Sequence, residues 1–161
     1  MAFEIENGVL KKYTEEEGVT NVVVPDSITE IGDSAFSECT SLKKINIPNS
    51  VKKIGFLAFQ LCISLKEMNI PDSVISIGEG AFSCCHSLES INLSKNITSI
   101  EADTFCECIN LRSITIPKNV TSIHTHAFVR CVDLDSIKIC GDNVEIAKDA
   151  FKGCPGDIDF I

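Results

Sequence analysis

Aromatic and basic residues are scarce in this sequence of 161 residues. It contains no Trp and a single Tyr, and its 14 Lys and Arg stand against 23 Asp and Glu, for a formal net charge of −9. A surface that follows nucleic-acid phosphates needs a surplus of Lys and Arg. The charge balance therefore argues against nucleic-acid binding, and it also disfavours contact with anionic membrane surfaces.

Long apolar runs are absent as well. The longest span only a few residues, as in NVVVP at 21–25, so we expect no insertion into a membrane. The first 18 residues lack the basic segment followed by an apolar segment that marks a secretory signal. No nucleophile elbow, phosphate-binding glycine loop or zinc-protease pair occurs. We therefore predict no enzyme, no catalytic residue and no cofactor.

What the sequence does contain is a 23-residue repeat that needs no insertion. Four residue columns recur in step, which chance does not produce. The Phe column is Phe36, Phe59, Phe82, Phe105, Phe128 and Phe151; the Cys column is Cys39, Cys62, Cys85, Cys108, Cys131 and Cys154; the Ile column is Ile31, Ile54, Ile77, Ile100, Ile123 and Ile146; the Leu column is Val19, Leu42, Leu65, Leu88, Leu111 and Leu134. A unit this small cannot bury its own apolar residues, so we predict stacked coils with equivalent side chains above one another.

Each repeat predicts two short strands and a turn. In repeat 42–64, Ile45 and Ile47 lie on the same side of an extended chain, because side chains alternate in a strand. Pro48 ends that strand, and SVKKIG at 50–55 supplies a second extended piece. Between this piece and the column Cys there is room only for a turn or a short 3₁₀ or α segment.

The repeat L-x-x-I-x-I-P-x-x-V-x-x-I-G-x-x-A-F-x-x-C resembles the BspA-like class of leucine-rich repeats. The resemblance implies a right-handed solenoid with a parallel β-sheet on its concave face, short strands and turns elsewhere, and a capping N-terminal β-hairpin. Asn7-Gly8, between FEIE and VLKKY, is itself a two-residue hairpin signal. The predicted organisation is a cap at 1–18, six repeats at 19–41, 42–64, 65–87, 88–110, 111–133 and 134–156, and a partial terminal strand at 157–161.

Some positions depart from this pattern. Ser94, Glu101 and Thr104 replace Pro, Gly and Ala in the fourth repeat, and Cys140 and Ala147 replace Pro and Gly in the sixth. In the terminal strand, the repeat spacing places Asp157 in the Leu column and Phe160 in the column of Ile45.

The Cys column is interpreted as packing material, a ladder of free cysteines. Parallel strands about 4.8 Å apart would bring successive Cα atoms into disulfide range. Stacked equivalents point the same way, however, and nine cysteines cannot all pair. One column also lacks the converging thiolates that tetrahedral zinc requires. Three cysteines lie off the column, and we interpret them as surface variation and as the first thiols to oxidise: Cys84, Cys106 and Cys140.

One histidine pair, His124 and His126, has the spacing of two ligands on one face of a strand. No third ligand is evident, and His124 stands where other repeats carry Gly. We predict surface variation here and no metal site.

Exposed positions of the first strand in each repeat form the predicted binding surface, called the concave face below. The candidate residues are Lys43, Lys44, Asn46, Lys66, Glu67, Asn69, Glu89, Asn92, Arg112, Thr115, Asp135 and Lys138, with Ser90, Ser113 and Ser136 between them. Five basic and three acidic groups give this face +2, so the rest of the chain carries about −11. This asymmetry favours a protein ligand with an acidic or mixed patch. The three Asn side chains are expected to hydrogen-bond to one another.

The sequence therefore predicts a monomeric, non-catalytic protein-binding module, and the resemblance suggests surface adhesion or host contact. A structural spacer within a longer surface protein is the alternative, and a redox or metal role of the off-column cysteines is a third class. The resemblance suggests a cell-surface or secreted location, whereas reduced cysteines would suit the cytoplasm.

Overall fold

The computed structural model describes residues 2–161, which form fifteen short strands and no helix. An N-terminal pair is followed by two rows of strands that alternate along the chain. The pair is β1 (Phe3–Glu6) and β2 (Val9–Tyr13). The first row is β3 (Asn21–Val23), β5 (Lys44–Asn46), β7 (Glu67–Asn69), β9 (Ser90–Asn92), β11 (Ser113–Ile116), β13 (Ser136–Ile139) and β15 (Ile158–Phe160). The second row is β4 (Glu30–Ile31), β6 (Lys53–Ile54), β8 (Ser76–Ile77), β10 (Ser99–Ile100), β12 (Ser122–Ile123) and β14 (Glu145–Ile146). None of these elements is a helix that could cross a membrane.

Neighbouring coils pair in parallel with the register of the repeat. Ile31 lies opposite Ile54, and Ile54 lies opposite Ile77. In the first row, Ile114 of β11 lies opposite Ile137 of β13. Each pair of partners is 23 residues apart, so the predicted stack of coils is confirmed.

The Phe column forms the centre of the core. Consecutive rings from Phe36 to Phe151 lie 4.9 to 5.5 Å apart and within 14° of parallel. All except Phe151 are fully buried. Stacked coils allow this because each ring sits above its equivalent, and the resulting contacts extend through the whole molecule.

The N-terminal hairpin was correctly predicted. β1 and β2 are antiparallel, and Asn7 and Gly8 have φ of 51° and 79°, as the tight turn between twisted strands requires. β2 also pairs in parallel with β4, and Tyr13 stacks on Phe36 with ring centroids 5.2 Å apart. The hairpin thus covers the first coil and continues its columns.

The second row is divided where the repeat sequence changes. One sheet contains β1, β2, β4, β6 and β8, and another contains β10, β12 and β14. The coil before the break carries Gly78, and the coil after it carries Glu101 at the equivalent position. A Cβ atom added to Gly78 would lie 2.6 Å from the backbone of Gly55, so the glycine-bearing coils pack more closely than a side chain would permit.

The predicted 3₁₀ or α segment around the Phe column is wrong, because this segment is a series of β-turns. In the second repeat, the amides of Ala58 and Gln60 donate within the coil, to Gly55 and Leu57. The amide of Phe59 between them donates to the next coil. A 3₁₀ helix needs consecutive bonds of the first kind, so bonding between coils prevents it.

The predicted register of the terminal strand is also wrong. Ile158 of β15 lies opposite Ile137, and Phe160 lies opposite Ile139, so this coil is two residues shorter than the others. Gly156 allows the shortening, since a Cβ atom there would lie 2.7 Å from the backbone of Asp135. Phe160 is therefore outside the Ile45 column, and Asp157 leaves the Leu column with it.

Candidate binding surface

The first-row strands place the twelve candidate residues on one exposed surface. Their inward neighbours, such as Ile45, Met68 and Ile91, are buried, and alternation in the strand turns the residues between them outward. All twelve are exposed: Lys43, Lys44, Asn46, Lys66, Glu67, Asn69, Glu89, Asn92, Arg112, Thr115, Asp135 and Lys138. The arrangement has the exposure that a binding surface needs.

Ion pairs between coils neutralise part of this surface. Lys44 lies 3.6 Å from Glu67, and Arg112 lies 3.7 Å from Glu89. Both pairs are exposed, so they contribute little to stability. Lys43 and Lys66 form no ion pair within residues 2–161, and they leave a basic area at the N-terminal end of the face.

The predicted amide stack is wrong. Asn69 lies directly opposite Asn92 in the parallel pair of β7 and β9. Within residues 2–161, however, no hydrogen bond joins the side-chain amides of Asn46, Asn69 and Asn92. These amides therefore stay available for a ligand.

An open groove of about 1020 Å³ runs along the face, over β7, β9 and β11. Its floor is polar and uncharged: Asn69, Ser90, Asn92, Ser113 and Thr115. The segments after the strands supply its wall, including Lys95, Lys118 and the off-column Cys140. Wall residues were absent from the candidate set, because that set was restricted to strand positions.

A partly apolar ridge runs along the coils at the position just after the column cysteines. Ile63, Ile109 and Val132 are 39%, 38% and 54% exposed, and His86 occupies the same position between them. The ridge leads into the first-row strands and so borders the concave face. Position in the repeat was the signal for it, since these residues share the spacing of 23.

Column cysteines bond to the preceding coil. The thiols of Cys62, Cys85, Cys108, Cys131 and Cys154 donate to the Phe carbonyl 26 residues earlier, over 3.1 to 3.2 Å. Burial raises the pKa of Cys85 to about 12 and of Cys39 to about 12. At neutral pH these thiols are protonated and unreactive.

Off the column, the fold brings Cys84 close to two other possible metal ligands. One donor atom each of Cys84, His86 and Glu107 lies within 4.8 Å of the others, and all three side chains are half-buried. Repeat arithmetic could have found this cluster, because Glu107 follows Cys84 by 23 residues. We had considered Cys84 only beside its neighbours in the chain.

The predicted histidine pair lies between carboxylates. His126 is 2.9 Å from Asp149 in the next coil and 3.6 Å from Asp103 in the preceding one, and His124 is 4.0 Å from Glu101. The hydroxyl of Thr125 donates to both carboxylate oxygens of Asp149, which lowers the pKa of that carboxyl. These contacts link three successive coils at the surface.

Comparison with solved structures shows three bacterial relatives. The chain is similar to a leucine-rich repeat protein from Eubacterium ventriosum (23% identity, TM-score 0.80, covering 92% of this chain and 47% of that one). It is also similar to a T. pallidum leucine-rich repeat protein (29%, 0.75, 81% and 62%) and to a leucine-rich cell surface protein from Faecalibacterium prausnitzii (23%, 0.55, 89% and 60%). The chain thus spans 47% to 62% of the length of these relatives.

No curated protein matches the sequence. The family described as BspA type leucine-rich repeat region matches residues 29–156, in six copies. This family is defined by a repeat and not by a catalytic site. Since the match covers most of the chain and agrees with the stacked coils, the protein belongs to the BspA-type leucine-rich repeat family.

Proposed function

We propose that the protein is a non-catalytic protein-binding module whose concave face contacts a protein ligand with an acidic or mixed patch. The observation that carries this proposal is the open groove of about 1020 Å³ on the first-row strands. Its floor consists of amide and hydroxyl groups, which can donate and accept hydrogen bonds. Adhesion or host contact would be the biological use, in line with the cell surface protein among its structural relatives.

Charge supports an acidic area on the partner. Lys43 and Lys66 lie in adjacent coils on a face of +2, whereas the remainder of the chain carries about −11. The acidic remainder would repel an acidic ligand and orient it toward this face. Screening in physiological salt acts over about 8 Å, so the effect should weaken when salt is added.

Apolar contacts would come from the border of the face. Ile63, Ile109 and Val132 are the exposed apolar residues of the ridge. Protein interfaces usually combine a few buried apolar anchors with a polar rim. A ligand that lies along the groove and over the ridge would make both kinds of contact.

A screen with paired variants tests the proposal. The wild-type chain and the variant Lys43→Glu/Lys66→Glu are measured against a panel of purified extracellular proteins by biolayer interferometry, at low and high salt. The matched control is Lys148→Glu/Lys152→Glu, which makes the same charge change on the last coil at exposed positions outside the concave face. We expect a ligand that the concave-face variant loses and the control retains.

Two outcomes would contradict the proposal. Equal weakening by both variants would mean that net charge alone drives the binding. An unchanged affinity in the concave-face variant would place the ligand on another surface. Each Lys substitution should change the free energy of unfolding by about 0.5 kcal/mol or less, so lost binding cannot be attributed to unfolding.

A structural spacer in a longer repeat array is the second candidate function. It is favoured by the last coil, where Ile146, Phe151 and Ile158 line an open cavity of about 650 Å³. A further coil could cover these side chains, as each coil covers the one before it. If the panel yields no ligand and added coils raise the unfolding free energy, the spacer is the better description.

A further inference from the structure

A cluster of three different metal-binding side chains connects the third and fourth repeats. The Cys84 thiol, the His86 imidazole and the Glu107 carboxylate have donor atoms within 4.8 Å of one another. The cluster lies on the turn segments and on the ridge, and no residue of the proposed binding face belongs to it. Its chemistry is therefore independent of the proposed function.

The fold positions these residues through the backbone of the turns. Cys84 and Glu107 occupy the same turn position in successive coils, with φ of 59° and 57°. The amide of Cys84 donates to the carbonyl of Cys106 over 2.7 Å, which fixes one coil against the next. His86 follows two residues after Cys84, in the same coil. Two coils thus supply the three ligands, in a frame held by backbone hydrogen bonds.

We propose that Cys84, His86 and Glu107 bind a divalent transition-metal ion of the zinc class. Thiolate, imidazole and carboxylate are the ligands that Zn²⁺ takes from proteins, at about 2.0 to 2.3 Å. Such bonds require the donor atoms to approach within about 3 to 4 Å of one another, so side-chain rotations of roughly 1 Å complete the site. Water occupies the fourth tetrahedral position, since all three side chains are only half-buried.

Other contacts of the cluster set the conditions for binding. Glu107 accepts a hydrogen bond from the guanidinium of Arg130 over 3.1 Å, so Arg130 competes with the metal for this carboxylate. The hydroxyl of Ser83 lies 3.7 Å from the Cys84 sulfur. Binding converts the Cys84 thiol to a thiolate and releases its proton to solvent, so affinity should fall at lower pH.

Cys106 is the residue most able to replace one of these ligands. Burial, together with the nearby charges of Asp103, Glu107 and Cys84, raises the pKa of Cys106 to about 11. Cys106 is accordingly the harder thiol to ionise and is not assigned as a ligand. It could instead form a disulfide with Cys84 when the protein is oxidised, so the test must be made under reducing conditions.

Cobalt titration of the reduced full-length chain tests the assignment. Co²⁺ is added to protein held in a phosphine reductant, and absorbance reports thiolate-to-cobalt charge transfer and tetrahedral coordination. We expect one equivalent to bind and Zn²⁺ to displace it. Cys84→Ser should abolish the charge-transfer band, and His86→Gln and Glu107→Gln should each weaken binding by about tenfold or more.

Matched variants make the result specific. Cys140→Ser and His126→Gln remove another off-column thiol and the histidine between carboxylates, and they should leave the titration unchanged. Arg130→Gln frees Glu107 and should tighten binding by about two- to fivefold, because an exposed ion pair is lost. A merely structural role of Glu107 would not produce that gain.

Several results would overturn the proposal. These are a missing thiolate band, a band that survives Cys84→Ser, and a band that depends on Cys106 but not on Glu107. If Cys84→Ser fails to fold, as judged by circular dichroism without metal, the opposite effects expected for Glu107→Gln and Arg130→Gln decide the question.

Discussion

Phe82→Ala is the substitution that tests the stacked core most directly. The Phe82 ring is fully buried and lies between Phe59 and Phe105, at centroid distances of 5.2 and 5.5 Å and within 5° of parallel with both. Truncation removes both ring contacts and leaves a cavity between rigid coils. We expect the free energy of unfolding to fall by about 3 to 5 kcal/mol, as for other buried aromatic residues.

Phe151→Ala is the matched control within the same column. Phe151 is half-buried and has one ring neighbour, Phe128 at 4.9 Å. Its truncation should lower the free energy of unfolding by only about 1 to 2 kcal/mol. The difference between the two variants therefore measures the second ring contact and the deeper burial of Phe82.

Urea unfolding followed by two probes gives these values. Circular dichroism reports the whole array, and the fluorescence of the single Tyr, Tyr13, reports the N-terminal end, where it stacks on Phe36. In a linear array, loss of a central contact can uncouple the two halves. The two transitions should then separate in Phe82→Ala but coincide in the wild type and in Phe151→Ala. A loss below about 1 kcal/mol in Phe82→Ala, or equal losses in both variants, would refute the stacked-column reasoning.

Three further predictions concern thiols, acid stability and close packing. At pH 8 the Cys85 thiol, with its pKa raised by burial to about 12, should resist a thiol reagent until urea unfolds the chain; unfolding without reductant should expose all nine thiols, and six or more missing would instead show disulfides. The lowered pKa of Asp149 means that its hydrogen bonds from Thr125 stabilise the folded state above the unfolded pKa of about 4 and are lost as pH falls through the lower folded value. The melting temperatures of Asp149→Asn and wild type should thus converge in acid, and a constant difference would contradict this. Gly78→Ala should lower the unfolding free energy by about 1 to 3 kcal/mol, because its Cβ atom would meet the Gly55 backbone at 2.6 Å; equal urea midpoints would show that the coils can separate.

Regular features of the fold were predictable because they repeat. The strand positions, the aligned rings and the outward placement of Lys43 and Lys66 all follow from the 23-residue spacing and from side-chain alternation. The Asn7-Gly8 turn was predictable for a local reason, since its left-handed conformations favour these residues. In each case the deciding information lies within one repeat or one dipeptide.

The turn segments and the amide stack were not predicted correctly. Whether the Phe59 amide donates within its coil or to the next coil depends on the position of the neighbouring backbone. Similarly, Asn69 and Asn92 face each other without a bond between their amides, because side-chain rotation is not set by backbone register. Both features depend on atoms in a different repeat.

The sequence by itself determined that coils stack, which side chains fill the interior, and which strand positions face outward. Only the tertiary structure decided the register of the shortened last coil, the ion pairs across coils, and the meeting of Cys84 with His86 and Glu107. The physical reason is that periodic burial specifies a position within a coil, whereas a contact between surface side chains requires the distance and rotation of two neighbouring coils.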